Sequence, residues 1–496
     1  MPNGAHGGAV ETRRAAAAVA LGSAALAAAA ALPGAIDLPL WQDEVASARV
    51  LHESTPAGVV EHVARTESTP PGWYLLAWIG REAGISLEGL RLFSVAFAAA
   101  LAGLTVVYAR RFTQLWTAGL AGVLTALAWQ VVVHGSELRA YALLALLTLV
   151  FALLLERAAV DPSLGRLAAL AACAAAGAYT HYFFVLAAAA GLVWLAVEPA
   201  LRAVAVRVGA AVVVGTATLL AWLPDLIDQV GAERFGWIDA FDVRKLAYLP
   251  SALFWDPGTM YAERGSDPDV GEAIIRLVVL ALVLGGCAVL ARLGSSARLC
   301  ALLVLVPLGA SGIAWLAGLR IITGRNLIGV TAFAAVALAA VLLPLPRRAA
   351  FGAAAAGVGL VVFSYVQTPM AERPDFDRVA DALVDAGWEA GDPIVVVGSL
   401  PDFRSTLEWY LPGEVTLPEA EPAQPCSTMW VVTDLPDGRA LIAAGEPAAR
   451  LEVGSAEVAR LPWDAGRVAA AARAGGRYLD SAAGRGCLRP VEDRIT

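Results

Sequence analysis

Two ends of one polar island carry the residues most suited to chemistry. Trp41-Gln42-Asp43-Glu44 opens it and Glu67-Ser68-Thr69-Pro70-Pro71-Gly72-Trp73-Tyr74 closes it, between an Ala/Leu run that ends at Ile36 and another that begins near 89. A carboxylate such as Asp43, Glu44 or Glu67 can take the proton of an acceptor hydroxyl. Later apolar runs end on His134, Glu137, Arg139, Tyr141, His181, Tyr182, Arg320 and Arg325. Arginine holds a phosphate through paired, charge-assisted hydrogen bonds. Acids and arginines beside a bilayer therefore suit transfer from a phosphate-bearing lipid to a hydroxyl. Taken singly, each residue has a plainer reading: a solvated acid at a span end, an interfacial histidine, an Arg139–Glu137 pair. Ionisable groups at membrane depth are costly and tend to face a cavity, so their convergence on one side favours a site.

The composition requires a membrane scaffold. The chain has 496 residues, 58% hydrophobic and 16% charged, and its mean hydropathy of +0.65 lies above that of a soluble globular chain. The net charge of -8 comes with no basic stripe interleaved with aromatics, so a nucleic-acid partner is not expected. Cys173, Cys287 and Cys300 lie in or beside apolar runs and read as buried thiols. No cysteine pair has zinc or redox spacing. Cys426 and Cys487 both lie in the C-terminal part, where an oxidising compartment would allow a bridge.

Residues 1–14 are polar and end in Arg13-Arg14; the run from Ala15 to Ile36 exceeds a signal-peptide core and reads as a retained first span. Further apolar runs fall at 89–109, 115–133, 140–156, 167–180, 183–198, 207–223, 272–292, 299–319, 326–344 and 349–366, giving about eleven spans. With a cytoplasmic N-terminus, every cytoplasmic loop carries a basic pair: Arg110 and Arg111, Arg157 and Arg166, Arg202 and Arg207, Arg292 and Arg298, Arg347 and Arg348. The opposite loops, 37–88, 134–139, 179–182, 224–271 and 320–325, hold the candidate site residues. The expected organisation is a cytoplasmic N-terminus at 1–14, a transmembrane domain at 15–366 with a first outer loop at 37–88, and an extracytoplasmic α/β domain at 367–496. The expected location is the cytoplasmic (inner) membrane, with the site and the C-terminus facing outside.

Two soluble elements are also legible. After Pro70-Pro71, Trp73 to Ile79 is apolar, too short to span, and has Trp at both ends, which predicts a helix lying in the membrane interface. In the C-terminal part, 375–383 alternates at helical spacing, Ile394 to Gly398 and Met429 to Thr433 read as strands, and Ser405 to Tyr410 reads as a helix. No glycine-rich phosphate loop follows the first strand, so no nucleotide site is predicted there.

The ordered set of motifs resembles the GT-C glycosyltransferases of the protein O-mannosyltransferase and aminoarabinose-transferase type, the family 39-like integral membrane enzymes. Trp41-Gln42-Asp43-Glu44 is similar to that family's W-x-D-E, and Glu67 to Tyr74 to its E-x-x-P-P-L-Y-Y. Leu90-Arg91-Leu92-Phe93-Ser94 resembles R-L-P-S, Ser136-Glu137-Leu138-Arg139-Ala140-Tyr141 resembles Q-E-A-R-x-Y, and Arg325-Asn326-Leu327 resembles R-Y-L. Tyr179-Thr180-His181-Tyr182 is similar to an element of bacterial members. The match covers roughly 36–345 and is specific as a set.

The resemblance implies a GT-C-like fold, a polyprenyl-phosphate-linked sugar as donor, and an acceptor glycan, lipid or protein on the outer face. It implies Asp43 as general base for an inverting transfer, with Glu44 beside it and Glu67 as the next acidic position. Arg139, Tyr141 and Arg325 are then expected at the donor phosphate, and His134, Glu137, His181 and Tyr182 in the pocket. The sequence departs from the family at Gly72, at His134 to Glu137, and at Asn326, which touches the phosphate and sugar contacts rather than the base. Some relatives use a divalent cation, and Asp43, Glu67 and His181 offer ligand types for one; no spacing demands it, so no metal is assigned. The rival readings are a polytopic transporter and another lipid-linked envelope transferase. A transporter is expected to show internal repeats and midplane binding residues, whereas here the polar groups sit at span ends.

Overall fold

The computed structural model describes residues 4–231, 248–254, 270–319, 323–367, 376–388, 394–397, 403–411, 428–433, 439, 442–443, 445, 447–453, 456–462 and 479–482. The chain divides into two compact units, Met1–Asp37 with Ser47–Pro369, and Leu38–Ala46 with Met370–Thr496. The expected first outer loop, 37–88, is thus shared: Leu38–Ala46 groups with the C-terminal unit and the remainder with the helical one. Arg320, much of the expected loop 224–271, Cys426 and Cys487 lie outside the described residues.

The helical unit is a multi-pass membrane structure. Among the described residues, six helices are long and apolar enough to cross a bilayer, or seven if one bent pair counts as a span. These include α1 (Gly4–Ile36), α5 (Leu87–Ala109) and α8 (Tyr141–Val160). Leu21, Val206, Leu277 and Ile313 are exposed on the helices, as apolar side chains facing lipid must be. The expected count of eleven is not reproduced by these criteria, and four of the runs differ for two local reasons. The run at 115–133 is broken into α6 (Leu115–Ala126) and α7 (Trp129–Gly135), bent by 53°. The runs at 167–180, 183–198 and 326–344 become shorter apolar helices: α9 (Leu164–Thr180), α10 (Phe184–Val197) and Arg325–Ala340. The last of these begins as a 3-10 turn, Arg325–Val330.

The polar island folds into three short helices. They are α2 (Gln42–Leu51), α3 (Pro56–Thr66) and α4 (Gly72–Glu82). Thr55 caps α3 by accepting from the Gly58 amide, with Pro56 in the first turn, where its missing N–H costs nothing. The expected short helix after Pro71 forms as α4: Trp73, Tyr74, Ala77 and Gly80 are buried on one side, while Ile79 stays exposed. Trp78 donates to the Glu53 carbonyl at 2.8 Å and Arg81 to that of Leu51 at 2.7 Å, so α4 is stitched to the segment after α2. Val59, Val63, Trp73 and Leu90 share one apolar cluster beneath this shelf.

The C-terminal unit contains a five-stranded mixed sheet. The strands are β1 (Ile394–Val397), β2 (Thr428–Thr433), β3 (Ala449–Val453), β4 (Ala456–Pro462) and β5 (Leu479–Ala482). Their order is β3-β4-β2-β1-β5, with β1 and β2 parallel and the other pairs antiparallel. Phe376, Val379, Ala380 and Leu383 form the buried stripe of the helix Phe376–Asp385, at the spacing that the sequence predicts. Tyr410 donates to the Leu40 carbonyl at 3.0 Å, which ties the detached 38–46 segment to this unit.

Candidate active site

Arg139 sits in the turn between α7 and α8 and is nearly buried. Its Nη1 lies 2.9 Å from the Ser47 hydroxyl, 3.2 Å from Glu67 Oε2 and 3.2 Å from the Tyr74 hydroxyl. That nitrogen carries two hydrogens among three oxygens, so one bond is shared. The Tyr74 hydroxyl donates to Glu67 Oε2 at 2.5 Å and therefore presents its lone pairs to Arg139 and Thr69. Burial, above all, raises the Tyr74 pKa well above its ordinary value, so the hydroxyl keeps its proton. Glu67 and Arg139, 72 positions apart in sequence, are thus one buried ion pair.

A second cluster begins on α7. His134 and Glu137 have no exposed surface; His134 Nδ1 is 2.6 Å from Glu137 Oε2, and its Nε2 is 2.9 Å from Gln130 Oε1. Ser94 holds the Glu137 backbone by donating to its carbonyl at 2.6 Å. The His134 ring lies 4.5 Å from that of Tyr141, whose ring lies 5.5 Å from His181. The Arg325 guanidinium stands 5.9 Å from the centre of the Tyr141 ring. A cation over an aromatic face is attracted by its quadrupole, so Tyr141 is a seat for Arg325.

His181 is the first of the three residues between α9 and α10, and the Phe183 amide donates to its Nδ1 at 3.3 Å. This fixes the neutral tautomer with the proton on Nε2. Burial first, and then the charges of Arg139, Arg325 and His134, lower its pKa to about 3. The ring is therefore neutral and lies within reach of the charges of Arg139 and Arg325.

The two adjacent acids on α2 differ in their surroundings. Glu44 is fully buried, and its Oε2 accepts from the Trp41 amide at 3.4 Å, the reciprocal half of a capping box. Asp43 is only half-buried. Tyr182, expected in the pocket with His181, turns elsewhere: its hydroxyl donates to Gln229 at 2.6 Å and accepts from Trp222 at 2.8 Å. The structure therefore brings together Glu67 with Arg139, and His134, Glu137, Tyr141, His181 and Arg325, and leaves Tyr182 in a separate, structural link. Sequence reasoning missed Ser47, Gln130 and Tyr74 as participants. Only Tyr74 had a signal, being the last residue of a quoted motif.

Gly72, one of the departures from the family pattern, has a steric explanation. A β-carbon there would lie 2.6 Å from the Tyr179 carbonyl oxygen, a backbone atom that cannot step aside. Gly72→Leu, the family's residue, is expected to destabilise the purified protein by about 1–3 kcal/mol, as overpacked sites do. A thermal-unfolding midpoint equal to the wild type's would show that α4 and α9 separate freely.

The other end of α8 carries a different polar layer. Arg111 pairs with Glu156 at 2.6 Å, and Arg298 with Glu198 at 2.8 Å. Glu156 lies 15 residues beyond Tyr141 on one helix, about 22 Å away along its axis at 1.5 Å per residue. The site residues and these ion pairs thus occupy opposite ends of α8. Among the described residues no three side chains of His, Cys, Asp or Glu gather closely enough to hold a metal ion.

No family model matches this chain, and no curated protein matches it. Solved structures similar to it include the following three. ArnT from Cupriavidus metallidurans bound to undecaprenyl phosphate aligns at 12% identity over 92% of this chain and 98% of its own, with a TM-score of 0.40. The apo state of the same protein aligns at 13% identity with the same coverage and TM-score. The apo oligosaccharyltransferase of Archaeoglobus fulgidus aligns at 13% identity over 79% of this chain and 59% of its own, with a TM-score of 0.44. At these identities and TM-scores no ligand, reaction or residue role passes from them to this chain.

Proposed function

We propose that the protein is a membrane glycosyltransferase that moves a sugar from a polyprenyl-phosphate donor to an acceptor hydroxyl at the outer face of the cytoplasmic membrane. One observation carries most of this reading: Arg325 and a neutral His181 flank Tyr141 at one end of the helical unit, with Arg139 among the charges that act on His181. That is the electrostatic arrangement a lipid-linked phosphate needs. The side chains of Leu144, Phe183, Leu186, Pro307 and Leu327 line a narrow crevice beside Asn326, next to Arg325, and offer apolar surface close to the arginine. The motif order in the sequence supplies the rest: acids first, then the Arg-x-Tyr element, then the late arginine.

In this reading the Asp43 carboxylate takes the acceptor's hydroxyl proton. The freed oxygen attacks the anomeric carbon from the face opposite the phosphate, and that carbon's bond to the phosphate oxygen breaks. Polyprenyl phosphate leaves, and Arg325 meets the charge that builds on it. The configuration inverts because a single displacement occurs. Glu67, expected among the catalytic acids, holds Arg139 in this arrangement. The polar groups lie at helix ends, which favours transfer over carriage of a solute through the bilayer.

Arg325→Ala is expected to weaken binding of a polyprenyl monophosphate by roughly tenfold or more, as loss of a charge-assisted partner worth about 1.5–3 kcal/mol predicts. The measurement is a titration of the full-length protein in lipid nanodiscs. Affinity equal to that of the wild type would move the phosphate away from Arg325.

A further inference from the structure

Gln130, His134 and Glu137 form a connected, buried row that no step of the proposed reaction uses. The lining role expected for His134 and Glu137 does not fit their surroundings, since neither has exposed surface through which to touch a ligand. Their geometry suits a different task. Both ring nitrogens of His134 face oxygens, Glu137 Oε2 at 2.6 Å and Gln130 Oε1 at 2.9 Å. Held at both ring nitrogens, His134 is fixed between Glu137 and Gln130.

The row leads to Arg325 by two routes. With its oxygen on His134, Gln130 has its amide nitrogen beside Gly324: a β-carbon on Gly324 would lie 3.2 Å from Gln130 Nε2 and 3.0 Å from Ala252 Cβ. Gly324 is the residue from which the 3-10 turn Arg325–Val330 starts. The second route runs through rings, from His134 to Tyr141 at 4.5 Å and from Tyr141 to the Arg325 guanidinium at 5.9 Å. Glu137 is itself anchored by Ser94, so the row has a fixed origin on α5.

We infer that Gln130, His134 and Glu137 are positioning residues that set the Gly324–Arg325 turn and the Tyr141 seat, so that Arg325 is already in place when a lipid phosphate arrives. A preset arginine spends less of its binding energy on ordering a side chain with rich rotamer freedom. This inference rests on the reading of Arg325 as a phosphate contact. Gln130 and Gly324 are new participants, and the row lies where this sequence departs from the family pattern.

The test is a double-mutant cycle on the full-length protein in nanodiscs, with a polyprenyl monophosphate as the probe. Gln130→Leu should weaken binding by about tenfold, equivalent to about 1.4 kcal/mol. In the Arg325→Ala background the same change should cost nothing further, because its only route to the phosphate is gone. A residue acting merely on stability would lower affinity equally in both backgrounds, and that result overturns the inference. Wild-type affinity in Gln130→Leu overturns it too. Should Gln130→Leu fail to fold, Gly324→Ala presses on the same turn from its other side and carries the same two expectations. If Arg325→Ala alone binds like the wild type, the phosphate reading of Arg325 falls, and this inference falls with it; loss in Arg325→Ala with additive loss from Gln130→Leu rejects the positioning role only.

Discussion

Asp43→Asn is expected to leave insertion and polyprenyl-phosphate affinity intact and to slow sugar transfer by about 10²–10⁴-fold, the range that a general base contributes. The amide has nearly the carboxylate's size but cannot accept the hydroxyl proton. The comparison that gives this result meaning is Glu44→Gln. Glu44 is buried and folded back on the Trp41 amide, so its change should act on the stability of α2 while sparing the pH dependence of transfer. Substituting a capping side chain typically costs about 0.5–2 kcal/mol. The assay is transfer by purified protein from a polyprenyl-phosphate sugar to a hydroxyl acceptor. Full transfer by Asp43→Asn together with lost transfer by Glu44→Gln would reverse the two assignments.

The second large effect is expected at Arg139. Removing its side chain leaves Glu67 as a buried carboxylate that has lost its counter-charge, and breaking such a pair costs about 3–5 kcal/mol. Arg139→Ala should therefore lower the thermal-unfolding midpoint well beyond the shift from Arg325→Ala. Arg139→Lys should recover only part of the loss. A compact ammonium lacks the planar fork that serves Glu67, Tyr74 and Ser47 at once. Arg139→Ala in a Glu67→Gln background should cost markedly less, because no unpaired charge remains. Equal costs in both backgrounds would show that the 3.2 Å pair contributes no coupling.

These two predictions separate jobs that the sequence places side by side. Asp43 and Glu44 are neighbours, yet one caps its own helix and the other is half-exposed. Glu67 and Arg139 read as a catalytic acid and a phosphate ligand, yet each is the other's partner. The first distinction depends on the rotation of α2, which turns adjacent residues by about 100°. The second depends on loop closure across 72 positions, which no local pattern encodes.

Sequence by itself determined the multi-pass helical class, the short helix after Pro71, the buried stripe of Phe376–Asp385, and the first two strands of the sheet. All of these rest on hydrophobic length or period, which are local properties. Tertiary structure decided the remainder. It breaks the run at 115–133 into two helices bent by 53°, and α7 then ends where Arg139 can meet Ser47, Glu67 and Tyr74, and Glu137 can meet His134 and Ser94. It groups Leu38–Ala46 with the sheet unit, which a run of apolar and polar residues does not announce. It also requires glycine at position 72, through a backbone carbonyl more than a hundred residues away. Period and hydropathy report which face a residue prefers; only the packed chain determines which other residue waits there.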